Sequence, residues 1–543
     1  MYVTYSVFLC ISLGAGFYFR KRGEYFAGHS TRKGIYLALN FLAMSLGSNV
    51  LTTYPQAAAY AGLQGVLVYA LATAFPMFAF GFLGPKLRRK RPNGFVLTEW
   101  VRWRYGILAG TVFSVCTIVT IFLFSAQELS NMQDGIEVLT GLSGVPPLYV
   151  QSAFVAIYLA NGGFSTSFFS DNIQSTTFIV LIVLSAIAMG LNFRIDPDLV
   201  GPSGLLDSNL MGWRMFFFLM IGNVTNDLLL AGFWIRTFTA KNETQLVIGC
   251  AIAAIGLFII CSMVGLCGLM AVWSGILQLN DPNLYNDSEY SFFQVLLPMP
   301  KWVQGTAVVL LVTLSICTFD SFTSSLVTTI ANDLFRNRLR LIHVRILTFV
   351  IMVPIVAMAI PSPRILSVCN VISVCIIPIL FFGLADTFYF ISGLEIIFGL
   401  VGGFLAIFVF GTVYYGSARA GLDLIILKNG IYTNDWGPFG LYASAPVGCW
   451  LGALTAFTIR WLYYWRKRKR VNAVFDRDLG KWDERFAAWT VRKWKLSRKP
   501  IWWPRVVHFF LVPFGDDPQD DDPETSSLPK DMRSSMFLSK SPS

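Results

Sequence analysis

The sequence predicts an all-α polytopic membrane protein, on three observations. Its 543 residues are 55% hydrophobic and only 13% charged, about half the charge of an ordinary soluble domain. Mean hydropathy is +0.59. Apolar runs of about 20 residues, the length that crosses a hydrocarbon core, recur along the whole chain.

The runs fall near 3–19, 35–61, 65–85, 107–133, 148–163, 172–193, 211–234, 246–278, 302–330, 346–361, 365–385, 391–414 and 439–463. That predicts about 13 transmembrane helices. The first, "YVTYSVFLCISLGAGFY", lacks the basic start and small-residue cleavage site of a signal peptide, so it is read as a span. The segments after spans 1, 3, 5, 7, 9 and 11 carry about 18 Lys and Arg, led by "FRKRGEYF", "KLRRKRPNGF" and "FRNRLRLIHVR", against about six on the opposite side. This asymmetry places the N-terminus outside and the C-terminus in the cytoplasm. The sequon Asn286–Ser288 falls in a loop assigned to the outside. No organelle-type transit peptide is read, and the expected location is the plasma membrane.

Residues 1–463 form the predicted membrane domain and 464–543 a cytoplasmic tail. Eighteen of the 42 basic residues lie from Arg460 onward. "RWLYYWRKRKR" would attract anionic inner-leaflet lipids, although ordinary positive-inside bias accounts for it equally. Five tryptophans between Trp482 and Trp503 mark an interfacial segment. The acidic, then Ser-rich end is expected to be disordered. The net charge of +11 therefore reflects topology and membrane lipids rather than nucleic acid. Nine scattered cysteines without a C-x-x-C pair, and three histidines without a partner at helical spacing, argue against disulfides and zinc. The spans hold neither a Ser/His/Asp set nor a nucleotide loop, so no enzyme activity and no cofactor are expected.

Polar groups inside spans are costly and mark a pathway, a partner or a cavity. In span 2, "LGSNVLTTYPQ" gathers Gly47, Ser48, Asn49, Thr52, Thr53 and Pro55; such a stretch either frees carbonyls to line a cavity or is a simple kink. In span 5, "YLANGGFSTSFFSDNIQ" breaks at Gly162-Gly163, after which Asp171 is either functional or a plain N-cap of span 6. In span 7, "GNVTNDLLLAGFWIR" sets Gly222-Asn223 mid-run and Asn226-Asp227 one turn later, the pattern of a discontinuous helix, with Arg236 at the inner boundary. In span 9, Thr318, Ser321 and Ser325 share one face and Cys317, Ser321, Ser324 and Thr328 the next. This polar side must face a cavity or partner helix, and Asp320 adds the hard oxygen that a small cation or a proton would seek. Spans 2, 7 and 9 offer no core Lys or Arg, which favours a neutral or cationic solute. Two broken helices and a hydroxyl-rich span suggest a secondary transporter with internal repeats; a channel also fits polar spans.

From about residue 24 to 460 the chain resembles the sodium:solute symporter family, and within it the urea active transporter branch. The resemblance rests on "GEYFAGHSTRKGIYLALNFLAMSLGSN", "GLQGVLVYALA", "KLRRKRPNGFVLTEWVRWRYG", "LTGLSG", "NGGFSTSFFSDNIQ", "GNVTNDLLLAGFWIRTFTAK", "CTFDSFTSSLVTTIANDLF" and "VCIIPILFFGL", in that order. It implies a LeuT-type fold with inverted five-helix repeats, spans 2–6 and 7–11. It also implies a sodium site between the break of span 2 (carbonyls near Ala43 and Leu46) and span 9 (Cys317 and Thr318). Asp171 would serve cation coupling on the cytoplasmic path; Asp320 and Ser321, on the polar side of span 9, are the further candidates for cation coupling. Substrate would sit near Asn49, Thr52, Asn223 and Asp227. Cys317 departs from the family hydroxyl, and a thiol is a poor ligand for a hard cation, which keeps proton coupling through Asp320 or Asp171 beside sodium. Leu230-Ala231 and the missing Trp-rich run of span 2 depart from the urea branch. The expected function is Na+- or H+-coupled symport of a small polar solute, urea first. The alternatives are a polyamine, an amino acid or a vitamin, and a non-transporting sensor or facilitative channel on the same scaffold.

Overall fold

A computed structural model describes residues 1–22, 32–90, 96–279, 284–335, 339, 341–361, 366–428, 430–432 and 435–466. The predicted tail beyond Arg466 lies outside the described residues, as does the side chain of Asn286 in the sequon.

The helices reproduce the apolar runs. The first span is Tyr2–Arg22, and the second is Gly34–Ser45 resumed at Val50. The 41-residue helix Val50–Lys90 holds the rest of the second span and the third, divided at Gly62 (φ 60°, ψ −153°). Span 4 is Ile107–Thr140, and Val145–Asn192 holds spans 5 and 6, divided at Gly163 (φ 60°, ψ −152°). Span 7 is Leu210–Leu229 and Ala231–Thr239, bent by 64°. Glu243–Trp273 and Lys301–Thr329 are spans 8 and 9, the latter ending in a π-helical turn, Ile330–Leu334. Leu341–Ala359, Leu366–Leu380, Gly393–Tyr415 and Gly437–Arg466 complete the set among the described residues. Eight of these helices are long and apolar enough to cross a membrane unaided, nine with the bent pair.

The two glycine kinks replace loops. Both adopt a backbone conformation that side chains avoid. A Cβ on Gly62 would lie 2.0 Å from the carbonyl oxygen of Leu205, which accepts the Leu63 N–H instead. The chain therefore turns within one residue, and the half-helix 50–61 stays close to its own continuation.

Two sequence expectations change here. The helix resumes straight after Gly163, so Asp171 lies two turns inside span 6 and is no N-cap. Span 7 does break, but at Leu230 rather than at Gly222. Gly222 is small because the Tyr442 ring packs on it; a Cβ there would lie 3.0 Å from the ring. At Leu230 the carbonyls freed by the bend find other donors: the Trp234 indole reaches Leu228 O at 2.8 Å and the Thr117 hydroxyl reaches Leu229 O at 3.4 Å.

Candidate functional site

The break of span 2 runs from Leu46 to Asn49, and span 9 packs across it. The Thr318 hydroxyl lies 3.0 Å from Ala43 O and 2.9 Å from Leu46 O. A hydroxyl has one proton and can donate to only one of these carbonyls at a time. The other carbonyl is left facing an oxygen, an arrangement that an added cation would relieve. Cys317, in the same turn, is fully buried.

Below the break, the carboxylate of Asp171 meets Arg236. Arg236 Nη2 donates to Asp171 Oδ2 at 2.7 Å and to Ser321 Oγ at 2.7 Å, and both charged side chains are 0% exposed. Its Nη1 donates to Gly232 O at 3.1 Å. The expectation of no core base in span 7 is thus corrected: Arg236 is a core residue, folded inward by the bend at Leu230, and its charge is paired. The triad ties spans 6, 7 and 9 together. Asp320, on the neighbouring face of span 9, is also buried; the Tyr158 and Ser167 hydroxyls stand nearest its carboxylate, without a close hydrogen bond formed to either of its oxygens. A charged carboxylate so placed is costly unless a cation or proton accompanies it.

Thr318 itself lines a cavity of about 100 Å³ between spans 2, 4, 7 and 9. Asn49, Asn223 and Asp227, which the resemblance puts near substrate, are among the residues that line it. Thr52 is not on its wall; its hydroxyl bonds back to Asn49 O at 2.9 Å, a local turn contact. Asn223 Nδ2 reaches Thr73 Oγ1 at 3.3 Å, and Thr73 is in turn bonded to the Tyr54 hydroxyl. Tyr54 stacks on Tyr69 with ring centroids 4.2 Å apart.

The wall also holds Glu128 and Asn131 from span 4, which sequence reasoning missed. Glu128 was legible: it is an ionisable residue inside a predicted span, in "SAQELSN", the same signal that singled out Asp227. Glu128 Oε1 accepts the Ser48 N–H at 2.6 Å, and its backbone carbonyl accepts the Ser48 hydroxyl at 3.1 Å. Asp227 is only partly buried, and no hydrogen bond or ion pair ties its carboxylate to another described side chain. No Lys, Arg or His is among the described residues lining the cavity. The site therefore sets two carboxylates, with amides and aromatic rings, against one space.

The chain is 42% identical over 466 residues to the spermidine transporter DUR31 of Candida albicans, covering 85% of this chain and 89% of that protein. The chain belongs to the solute:sodium symporter type of transporter. It is 26% identical over 160 residues to the urea active transporter of Saccharomyces cerevisiae, covering 30% of this chain and 22% of that one. No family model matches. Among solved structures, a substrate-bound, outward-open Na+-coupled sialic acid symporter superposes with a TM-score of 0.63 at 15% identity, over 83% of this chain and 97% of that one. The expected transporter fold is borne out. Like its relatives, this symporter is an integral membrane carrier that couples a small solute to a cation, and not an enzyme.

Proposed function

We propose that this symporter carries a cationic amine of the polyamine class, moved inward across the plasma membrane with one coupling ion. The observation that carries the reading is the charge of the cavity wall, two carboxylates and no base among the described residues. Buried carboxylates are costly unless paired, and an ammonium supplies the pair; neutral urea, the first expectation from the resemblance, leaves both without a counter-charge. The similarity to a spermidine transporter agrees with this choice. The aromatic lining, with Tyr54, Tyr69 and Phe322, suits methylene chains and ammonium groups alike.

The coupling ion is proposed to sit among the carbonyls of Ala43 and Leu46 and the Thr318 hydroxyl, hard oxygens that suit sodium. Cys317 adds only a soft sulfur and is not needed as a ligand. Asp320, buried beside the neutral Tyr158 and Ser167 hydroxyls and without an ion-pair partner in contact, favours a proton as the second reading. Asp171 and Ser321 take the role of counter-groups to Arg236, which pins three spans until transport moves them. With the N-terminus outside and the C-terminus in the cytoplasm, alternating access would pivot on the breaks at 46–49 and Leu230. One positive charge moving down 100 mV contributes about 2.3 kcal/mol, roughly 50-fold in concentration.

The test is uptake of labelled spermidine and labelled urea in cells lacking their own carriers for both, in sodium or choline, at pH 5.5 and 7.5. Spermidine accumulation that requires sodium and is lost in Thr318→Ala supports the sodium form of the reading. Accumulation indifferent to sodium but collapsed at pH 7.5 supports the proton form. Urea accumulation without spermidine accumulation sinks the amine assignment, and equilibration without accumulation of either makes the protein a channel.

A further inference from the structure

We propose that Glu128 is a positioning residue that links the two sites: by holding the backbone of the span 2 break, it orients the Leu46 carbonyl for the coupling ion, and it does so most firmly when an ammonium of the substrate sits against its carboxylate from the cavity. The inference rests on the cationic-amine reading above.

The connection is short. Leu46 O faces Thr318 at 2.9 Å, and the peptide that carries it is planar through the Gly47 nitrogen. The next peptide carries the Ser48 N–H that Glu128 Oε1 accepts at 2.6 Å. Only φ and ψ of Gly47 lie between the ion-facing carbonyl and the amide that Glu128 holds. Glycine is the residue least able to fix those angles by itself. Glu128 supplies what glycine lacks, because it grips Ser48 twice, through its carboxylate and through its own backbone carbonyl.

Gly47 is also the residue that allows the grip. A Cβ there would lie 2.3 Å from Glu128 Oε2 and 3.1 Å from Asn49 Oδ1, so the carboxylate lies directly over the Gly47 backbone. Glu128 is 3% exposed overall, yet it lines the same cavity as Asp227 and Thr318. A carboxylate has about four lone-pair sites; the Ser48 and Asn49 backbone N–H groups and the Ser48 and Ser315 hydroxyls surround it on the protein side, and its remaining approach, for a cation, is from the cavity it lines. A substrate ammonium there would neutralise Glu128 in place and keep it over Gly47. When the cavity holds no cation, the charged carboxylate is drawn toward water and its hold on Ser48 loosens. Substrate and ion would then each favour the other's site, as reciprocal coupling requires.

The test uses the full-length chain in liposomes, with inward sodium and proton gradients and the membrane potential clamped at zero by valinomycin and equal potassium. Two quantities are read with labelled spermidine: exchange at equal concentrations, and the inside-to-outside accumulation ratio. Glu128→Gln keeps an acceptor for Ser48 and loses the charge; Glu128→Ala loses both; Gly47→Ala keeps the carboxylate but displaces it. Exchange is expected to slow in all three, with spermidine KM raised about tenfold in the two Glu128 variants. The accumulation ratio, compared at matched exchange, is expected to fall partway in Glu128→Gln, which keeps an acceptor for Ser48 but offers the ammonium no charge, and to about one in Glu128→Ala and Gly47→Ala. If Glu128→Ala and Gly47→Ala still accumulate in proportion to their exchange, Glu128 only binds substrate and the proposal fails. If Glu128→Gln is uncoupled as fully as Glu128→Ala, the hold on Ser48 plays no part, and if it accumulates like the wild type, the ammonium's charge plays none; either result overturns the proposal. A wild type that exchanges no spermidine refutes the substrate reading instead, which separates the two.

Discussion

Removing one partner of the Asp171–Arg236 pair should cost far more than removing both. Asp171→Asn keeps the shape of the side chain and one acceptor oxygen, so packing is nearly unchanged. What it removes is the charge opposite a guanidinium that is 0% exposed and 2.7 Å away. Arg236 would then hold its bonds to Ser321 Oγ and Gly232 O in a water-poor core with no carboxylate in contact, the more distant Asp320 being the nearest remaining opposite charge. Breaking such a pair from one side costs about 3–5 kcal/mol, whereas replacing both members by neutral groups is often near neutral. The folded-to-unfolded ratio should thus fall by roughly 10² to 10⁴ in Asp171→Asn, and most of it should return in Asp171→Asn/Arg236→Gln. The assay is equilibrium unfolding of the purified chain in mixed micelles, followed by tryptophan fluorescence, as a double-mutant cycle. A double variant as unstable as either single one would refute the reasoning, since it would mean that shape and not charge holds spans 6, 7 and 9.

Other outcomes follow from the same geometry. Thr318→Ala should fold normally but need about tenfold more coupling ion for half-maximal uptake, read from an ion titration of spermidine transport. Asp227→Asn should raise spermidine KM about thirtyfold, the loss of roughly 2 kcal/mol for a charge-assisted hydrogen bond, while the yield of folded protein stays level; an unchanged KM would remove Asp227 from the substrate site. Gly62→Ala should abolish a monodisperse peak in size-exclusion chromatography, because its Cβ would overlap Leu205 O in a backbone region closed to alanine. Glu243→Ala, by contrast, breaks an ion pair with Arg89 whose side chains are 71% and 41% exposed, and should change stability by less than about 0.5 kcal/mol.

The spans were legible because crossing hydrocarbon demands a long apolar run, and that demand is written residue by residue. Each apolar run became a helical span among the described residues, with ends displaced by a few residues. The Thr318 neighbourhood was legible only through the family resemblance, since nothing in "SICTFDS" says which carbonyls it meets. Asp227 and Asn223 could be named because polar groups inside a span need a reason to be there. Glu128 carries the same signal, but no glycine or proline stands beside it to mark a break.

What the sequence by itself determined is that this chain lies in a membrane as a bundle of helices, with a helix-weakening polar stretch at 46–56, left open between a break and a kink, and a discontinuity within the seventh apolar run. The tertiary structure alone decided where those interruptions point. A break exposes several carbonyls and amides at once, and only the packing of spans 4 and 9 against it selects Leu46 for Thr318 and Ser48 for Glu128. The same holds for charge. Arg236 and Asp171 are 65 residues apart, and local sequence cannot say whether a charge in a span will find its counter-charge in the core or be left, like Asp227, facing a cavity. The first outcome makes a strut, and the second makes a binding site.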